Sequence, residues 1–274
     1  MRLALISDIH GNLPALDAVL EEIEREGVDE ILCLGDVAVG PQPAETLERV
    51  RELGCPVVLG NWDAYFVHGF PQHQTEIGRQ LVEMGEWWAG QLSVEHRAFI
   101  ETFVDELRRP GLVAFHGSPR SYEDFIYATT PDPELTEMLD GTRAPMMAAG
   151  HTHFAMVRHF DGALLVNPGS VGLPFARQEA VMRISPWAEY AIVDSDNGRL
   201  SVDLRRIAFD VESLLRLIRT SGMPHADWWA GLWFRPPGGG RGGPPGDGAG
   251  PGPRGPRGES GPYPGQAPLR VVEG

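Results

Sequence analysis

The chain contains no lysine, so all 23 of its Lys-plus-Arg positions are arginines. We read this as a compositional bias of the source genome, without functional meaning. Cysteine is scarce too: only Cys33 and Cys55 occur, both inside apolar stretches. Two thiols so placed exclude a disulfide framework and read as buried side chains. Long apolar runs are missing; nothing approaches the roughly 18 residues that a membrane span requires. The first run, Arg2-Leu3-Ala4-Leu5-Ile6, stops before Asp8 and is too short for a signal peptide. A cytoplasmic protein is therefore expected. Positive charge is in deficit, with a formal net charge of −15. That balance argues against non-specific binding to nucleic acid or to anionic membrane. It leaves room for a phosphate-bearing substrate, because bound cations reverse the field locally.

The 274 residues are enough for one substantial domain with a sizeable core, or for two small ones. Arg2–Ile6 reads as a buried strand. Asn12 to Glu26 reads as an amphipathic helix with Leu13, Leu16, Val19, Leu20 and Ile23 on one face, ended by Gly27. Glu30–Leu34 is a second strand, Pro43–Leu53 a second helix and Pro56–Leu59 a third strand. Strand, helix, strand, helix, strand at this spacing predicts a parallel sheet with right-handed crossovers. From Ala64 to Arg109 the pattern reads as helical, with a helix start at Ser93. Leu112–Phe115 is a further strand, Asp132–Leu139 a short helix and Pro145–Ala149 another strand. Met156–Phe160 with Ala163–Val166, and Tyr190–Val193 with Leu200–Ile207, form two hairpins. Val211–Arg219 is a last helix.

The C-terminal part differs in kind. Pro236 to Ala267 is mostly Gly and Pro and reads as disordered. Gly252, Gly255, Gly258 and Gly261 share a Gly-X-Y register, but a collagen helix needs a far longer repeat and three chains. Before it lie Trp228, Trp229, Trp233 and Phe234, which either cover the core edge or form a dimer contact. The resulting division is a main domain over 1–222, an aromatic-rich segment over 223–235 and a tail over 236–274.

Polar residues suited to metals recur at predicted strand ends. Asp8 and His10 follow the first strand, and residues two apart on a strand share a face. A carboxylate beside an imidazole suits a divalent cation; the plainer alternative is a strand–turn–helix with a polar edge. Asp36 follows the second strand, Asn61 the third, His116 the fourth, and His151 with His153 the fifth. Open α/β sheets place their ligands beyond the C-terminal ends of their strands. Any one of these residues is a weak signal, while all of them on one sheet edge are hard to obtain by chance.

The set Asp8-Ile9-His10, Gly35-Asp36, Gly60-Asn61-Trp62-Asp63, His116 and Gly150-His151-Thr152-His153 resembles the calcineurin-like metallophosphoesterase superfamily. The opening Asp8-Ile9-His10-Gly11-Asn12-Leu13 and the Asn167-Pro168-Gly169-Ser170-Val171-Gly172 loop resemble its small prokaryotic phosphodiesterase branch. The resemblance spans about Met1 to Ile218. It implies a four-layer α/β/β/α sandwich of two mixed sheets flanked by helices. It also implies two divalent transition-metal ions, one held by Asp8, His10 and His153, the other by Asn61, His116 and His151, with Asp36 bridging. Mixed nitrogen and oxygen ligation fits Mn, favoured here, or Fe, Zn, Ni or Co, better than Mg. The implied reaction is hydrolysis of a phosphodiester by a metal-bridging hydroxide, with a small phosphoester, such as a nucleotide, as substrate. Asp36, Asn61 and Asp63 carry the catalytic roles in this reading, Asp63 by orienting its loop.

One position departs from the family, which commonly has His where Trp62 stands, placed to protonate the leaving group. Such help is worth about 10²–10⁴-fold. Trp62 either stacks on a nucleobase or plugs the rim of the site, and His68 or His73 could replace the missing acid. Arg177 is a candidate phosphate contact by its bidentate guanidinium, or a solvated loop residue. Asn167 and Ser170 read as support behind the ligands, and His96, His159 and His225 as surface or packing residues. Two rivals stand beside the diesterase: a phosphomonoesterase or protein phosphatase on the same scaffold, and a weakly active or inactive metal-binding interaction module.

Overall fold

The computed structural model describes residues 1–178, 181–196 and 199–233; the side chains of residues 177, 178, 181 and 182 fall outside that description. The tail from Pro236, Phe234 and the Arg177 side chain therefore lie outside the described residues.

The chain begins with β1 (Arg2–Ile6), α1 (Leu13–Glu26) and β2 (Glu30–Cys33). Asn12 caps α1 by accepting the Ala15 N–H at 3.2 Å, and Gly27 ends it in the left-handed region. Next come α2 (Pro43–Leu53), α3 (Asn61–His68), α4 (Glu76–Gly90) and α5 (Val94–Ile100), the last capped by Ser93. Then follow β3 (Glu106–Arg109), β4 (Leu112–Phe115), α6 (Asp132–Leu139), β5 (Met146–Ala148), β6 (Met156–Phe160) and β7 (Ala163–Asn167). The remainder is β8 (Phe175–Gln178), β9 (Val181–Ile184), β10 (Trp187–Asp196), β11 (Arg199–Ala208), α7 (Val211–Thr220) and α8 (Ala226–Gly231).

Two mixed sheets result, ordered β11-β10-β1-β2 and β3-β4-β5-β7-β6, with β8 and β9 as a separate hairpin. Side-chain alternation along the strands builds the layers. On β1, Leu3 and Leu5 join Leu32, Leu107, Leu112, Ala114, Met146, Val166, Ala191 and Val193 in a core between the two sheets. Ala4 and Ile6 point the other way, into the core with Leu16, Val19 and Leu47 of α1 and α2. On β4 and β5, Val113, Phe115 and Met147 face outward onto Leu135 and Leu139 of α6. Helix, sheet, sheet, helix is the four-layer sandwich that the motifs imply.

Three local expectations change. Pro56–Leu59 is not a full strand: it makes only bridges, Val57 to Cys33 and Val58 to Val104, before Gly60 turns the chain into α3. Helix α3 consequently starts at Asn61, so Asn61, Trp62 and Asp63 form its first turn. The helical reading to Arg109 ends too late, because Glu106–Arg109 pairs antiparallel with β4 as an edge strand. Its charged, solvent-side residues hide the alternation from a sequence reading. The hydrophobic pattern predicts neither the β8–β9 hairpin nor α8.

Candidate metal centre

The loops after the strands are stitched to one another before any side chain is considered. The Asp8, His10 and Gly11 N–H groups donate to the carbonyls of Gly35, Asp36 and Val37, at 2.9, 3.0 and 2.9 Å. Val171 and Gly172 donate to the carbonyls of Ser7 and Asp8, and Gly150 donates to that of His116. The loops after β1, β2, β4, β5 and β7 thus form one layer across the edge of both sheets.

Asp8 and His10 do not share a strand face. Both have left-handed backbones, at φ 54° and 50°, and so do Asp36, His151 and His153, at 56°, 66° and 61°. Their orientation comes from this conformation, not from strand alternation. The left-handed region costs a non-glycine residue on the order of 1 kcal/mol, and such strain clusters at functional sites.

Asp8, His10 and His153 offer donor atoms within 4.8 Å of one another, and so do Asp36, His116 and His151. In the first group, His10 Nε2 and His153 Nε2 stand 3.0 Å apart, and His153 Nε2 is 3.3 Å from Asp8 Oδ1. Asp36 Oδ2 faces both groups, 3.8 Å from His10 Nε2 and 3.5 Å from His116 Nε2. Asn61 Oδ1 lies 3.3 Å from His116 Nε2, which brings it to the second group. All of these residues except His151 are buried; His151 is partly exposed.

The tautomers are set from behind. His116 Nδ1 donates to the Leu34 carbonyl at 2.7 Å, and His153 Nδ1 to the Leu173 carbonyl at 2.8 Å. In the neutral ring each Nε2 then keeps its lone pair, directed into the centre. Asp8 Oδ2 accepts from Ser7 Oγ at 2.6 Å and from the His151 N–H at 3.1 Å, while Asp8 Oδ1 has no hydrogen-bond partner among the described residues. His151 Nε2 is likewise buried and unpaired. Buried polar atoms rarely remain unsatisfied, and the donor set of imidazoles and carboxylates suits divalent transition metals. The residues fit such ions.

Charges crowd strongly here. Burial lowers the His10 and His151 imidazoles, His151 to about 3, with the neighbouring His116 adding to that effect. Burial also acts to lower His116, but Asp36, helped by Asp8 and the Leu34 carbonyl, outweighs it and raises that imidazole to about 9. Burial and the Asp36 carboxylate together push Asp63 up to about 7. Opposed shifts among neighbours are typical of functional sites.

Other expected residues take definite places. Asp63 accepts the backbone N–H groups of Asp36, Val37 and Gly60, at 2.7, 3.0 and 3.2 Å, and is itself a member of neither donor group. Asn167 Nδ2 donates to the Gly150 carbonyl and to Thr152 Oγ1, and Ser170 Oγ donates to the Asp8 carbonyl. The Trp62 N–H donates to Asp36 Oδ1 at 3.0 Å. Gly60 makes room for that carboxylate, because a Cβ there would stand 2.1 Å from Asp36 Oδ1. His96 pairs with Glu48 and His225 with Glu83. His68 is exposed at the end of α3, whereas His73 lines the pocket beside the centre.

That pocket joins His10, Asp36, Asn61, His151 and His153 to a largely aromatic wall. Trp62 faces it with its ring edge-on to Tyr65 and Trp88, so rim packing and exposure to a ligand coexist in one side chain. Trp229 also lines it and packs on Trp88. The segment after residue 222 therefore reaches the site as well as the core edge. Phe70, Phe125 and Phe175 complete the wall; scattered along the sequence with no motif, they gave no signal.

A calcineurin-like phosphoesterase superfamily domain model matches residues 1–196. The chain belongs to this superfamily. As a calcineurin-like phosphoesterase it is a hydrolase of a metal-dependent family, whose members act on phosphoesters. Phosphodiesterase YfcE of Escherichia coli is 26% identical over 209 residues, 72% of this chain and 89% of that protein. An uncharacterized protein of Methanocaldococcus jannaschii is 27% identical over 250 residues, 84% of this chain and 95% of its own. The crystal structure of a metallophosphoesterase from Sphaerobacter thermophilus superposes with a TM-score of 0.66 at 28% identity, covering 85% of this chain and 98% of that one. No helix among the described residues is long and apolar enough to cross a membrane.

Proposed function

We propose that this calcineurin-like phosphoesterase hydrolyses a phosphodiester with two divalent transition-metal ions, manganese being favoured. The observation that carries this reading is Asp36, one of whose carboxylate oxygens lies 3.8 and 3.5 Å from histidines of the two separate donor groups. Asp8, His10 and His153 would hold one ion, Asn61, His116 and His151 the other, and Asp36 both. Bound there, two cations neutralise charge building on the phosphoryl oxygens and make a water nucleophilic near neutral pH. Asp63 holds Asp36 by its backbone, the Trp62 N–H fixes the carboxylate's remaining oxygen, and the Leu34 and Leu173 carbonyls fix two imidazole tautomers. Such pre-set geometry reduces reorganisation during reaction. Support for a diester comes from the likeness to YfcE and from the aromatic pocket, which can take a second esterified group.

Manganese-dependent turnover of an aryl phosphodiester beside the matching monoester tests the reading, with metal content measured on the same protein. Diester turnover that disappears in Asp36→Asn is expected. Protein that holds two metals per chain and hydrolyses neither ester would overturn it.

A further inference from the structure

The pocket wall is assembled from unrelated parts of the chain. Trp62 comes from α3, Phe70 and His73 from the connection to α4, and Trp229 from α8, beyond the matched family domain. Elsewhere in the lining, the Phe125 ring centroid lies 4.3 Å from that of His151, and Phe175 stacks on His153 at 4.4 Å and 17°. Rings therefore lie next to both donor groups, and both sets open into one cavity.

The connection carrying Phe70 and His73 is seated on α4 by two glycines one heptad apart. A Cβ at Gly85 would lie 2.5 Å from Phe70 Cε1, and one at Gly78 would lie 2.5 Å from His73 Cβ. A glycine inside a helix costs about 0.5–1 kcal/mol relative to alanine. Here two are placed where they let pocket-lining side chains lie flat on the helix. The wall is thus built, not left over from core packing.

We propose, on top of the diesterase reading, that the pocket selects phosphodiesters carrying a planar ring on each arm. One ring would lie against Trp62, Phe70 and Trp229, the other against Phe125 and Phe175. A monoester, or a diester with one small alkyl arm, leaves one set of rings in water and forfeits its burial.

Two p-nitrophenyl diesters with the same leaving group, one carrying a phenyl and the other a methyl arm, isolate the second ring. The full-length manganese-loaded protein should favour the phenyl ester on the order of tenfold, through KM. Phe70→Ala and Phe125→Ala should each shrink that ratio several-fold. Gly85→Ala, which displaces the Phe70 ring without removing it, should act like Phe70→Ala. A third ester, with a thymidine arm, separates the two sources of a planar ring: the lower KM marks a nucleobase or a simple aryl group. Quenching of tryptophan fluorescence by diphenyl phosphate, and not by dimethyl phosphate, reads the same preference without turnover. Equal KM for phenyl and methyl esters, with equal quenching, would overturn the two-ring proposal while leaving the diesterase intact. Quenching by diphenyl phosphate alone, with no ester hydrolysed, would keep the two-ring pocket and overturn the diesterase.

Discussion

The Asp63 carboxylate accepts the backbone N–H of Asp36 at 2.7 Å, so a residue that belongs to neither donor group sets the position of the one that faces both. Its second oxygen takes the Val37 N–H, and the Gly60 N–H closes the set. Three converging donors need two acceptor oxygens. Asp63→Asn supplies one oxygen and turns an NH₂ toward a buried N–H. The unsatisfied donor should cost about 1–3 kcal/mol in urea unfolding. Manganese affinity should fall about 10–100-fold, as expected for a lost outer support. Unfolding and metal titration of the two proteins check both numbers; unchanged affinity would remove Asp63 from the support of the site.

This relationship also marks how far the sequence could be read. Apolar runs ending in Asp36, Asn61, His116 and His151 place those residues on one edge, because buried strands announce themselves by composition. The linking geometry differs from the strand-face expectation. Strand alternation predicts the pairing of Asp8 with His10, yet both residues are left-handed, as are His151 and His153. Moreover, Asp8 and His10 serve one donor group while His151 and His153 divide between two. Spacing in sequence does not encode that division; it arises where the loop layer brings β1 and β5 ends together. Phe70, Phe125, Phe175 and Trp229 carry no periodic signal, since only tertiary packing makes them one wall.

Glu26, at the end of α1, is paired with Arg2 of β1 and Arg205 of β11, and so ties helix to sheet. The Arg205 hydrogen bond holds its carboxyl below the ordinary glutamate value, outweighing partial burial, which acts the other way. A carboxyl depressed in the folded state stabilises above its unfolded value, about 4.3, and loses that contribution as pH falls through the lower folded one. The Tm of wild type should therefore exceed that of Glu26→Gln at pH 7, with the gap closing below about pH 4.3. High salt should narrow the gap at pH 7 as well. A gap that is constant from pH 7 to pH 3 would show that the ion pairs contribute nothing.

Trp62 stands where the superfamily resemblance puts a histidine, and the structure separates its two contributions. Its N–H fixes Asp36 Oδ1 and is indifferent to the side chain. Its ring packs on Tyr65, Phe70 and Trp88 and is partly open to the pocket. Trp62→His keeps the first and exchanges the second for an imidazole beside the centre. General-acid help matters most where the leaving alkoxide is a strong base. The variant should therefore gain on alkyl diesters, by about tenfold or more in kcat, and gain little on nitrophenyl diesters, whose leaving group needs no proton. It should also lose affinity for ring-bearing esters and unfold at a lower urea concentration, because three ring contacts are given up. A plot of log kcat against leaving-group pKa decides: a shallower slope for the variant supports this reading, and parallel lines would mean that the position lacks reach to the departing oxygen.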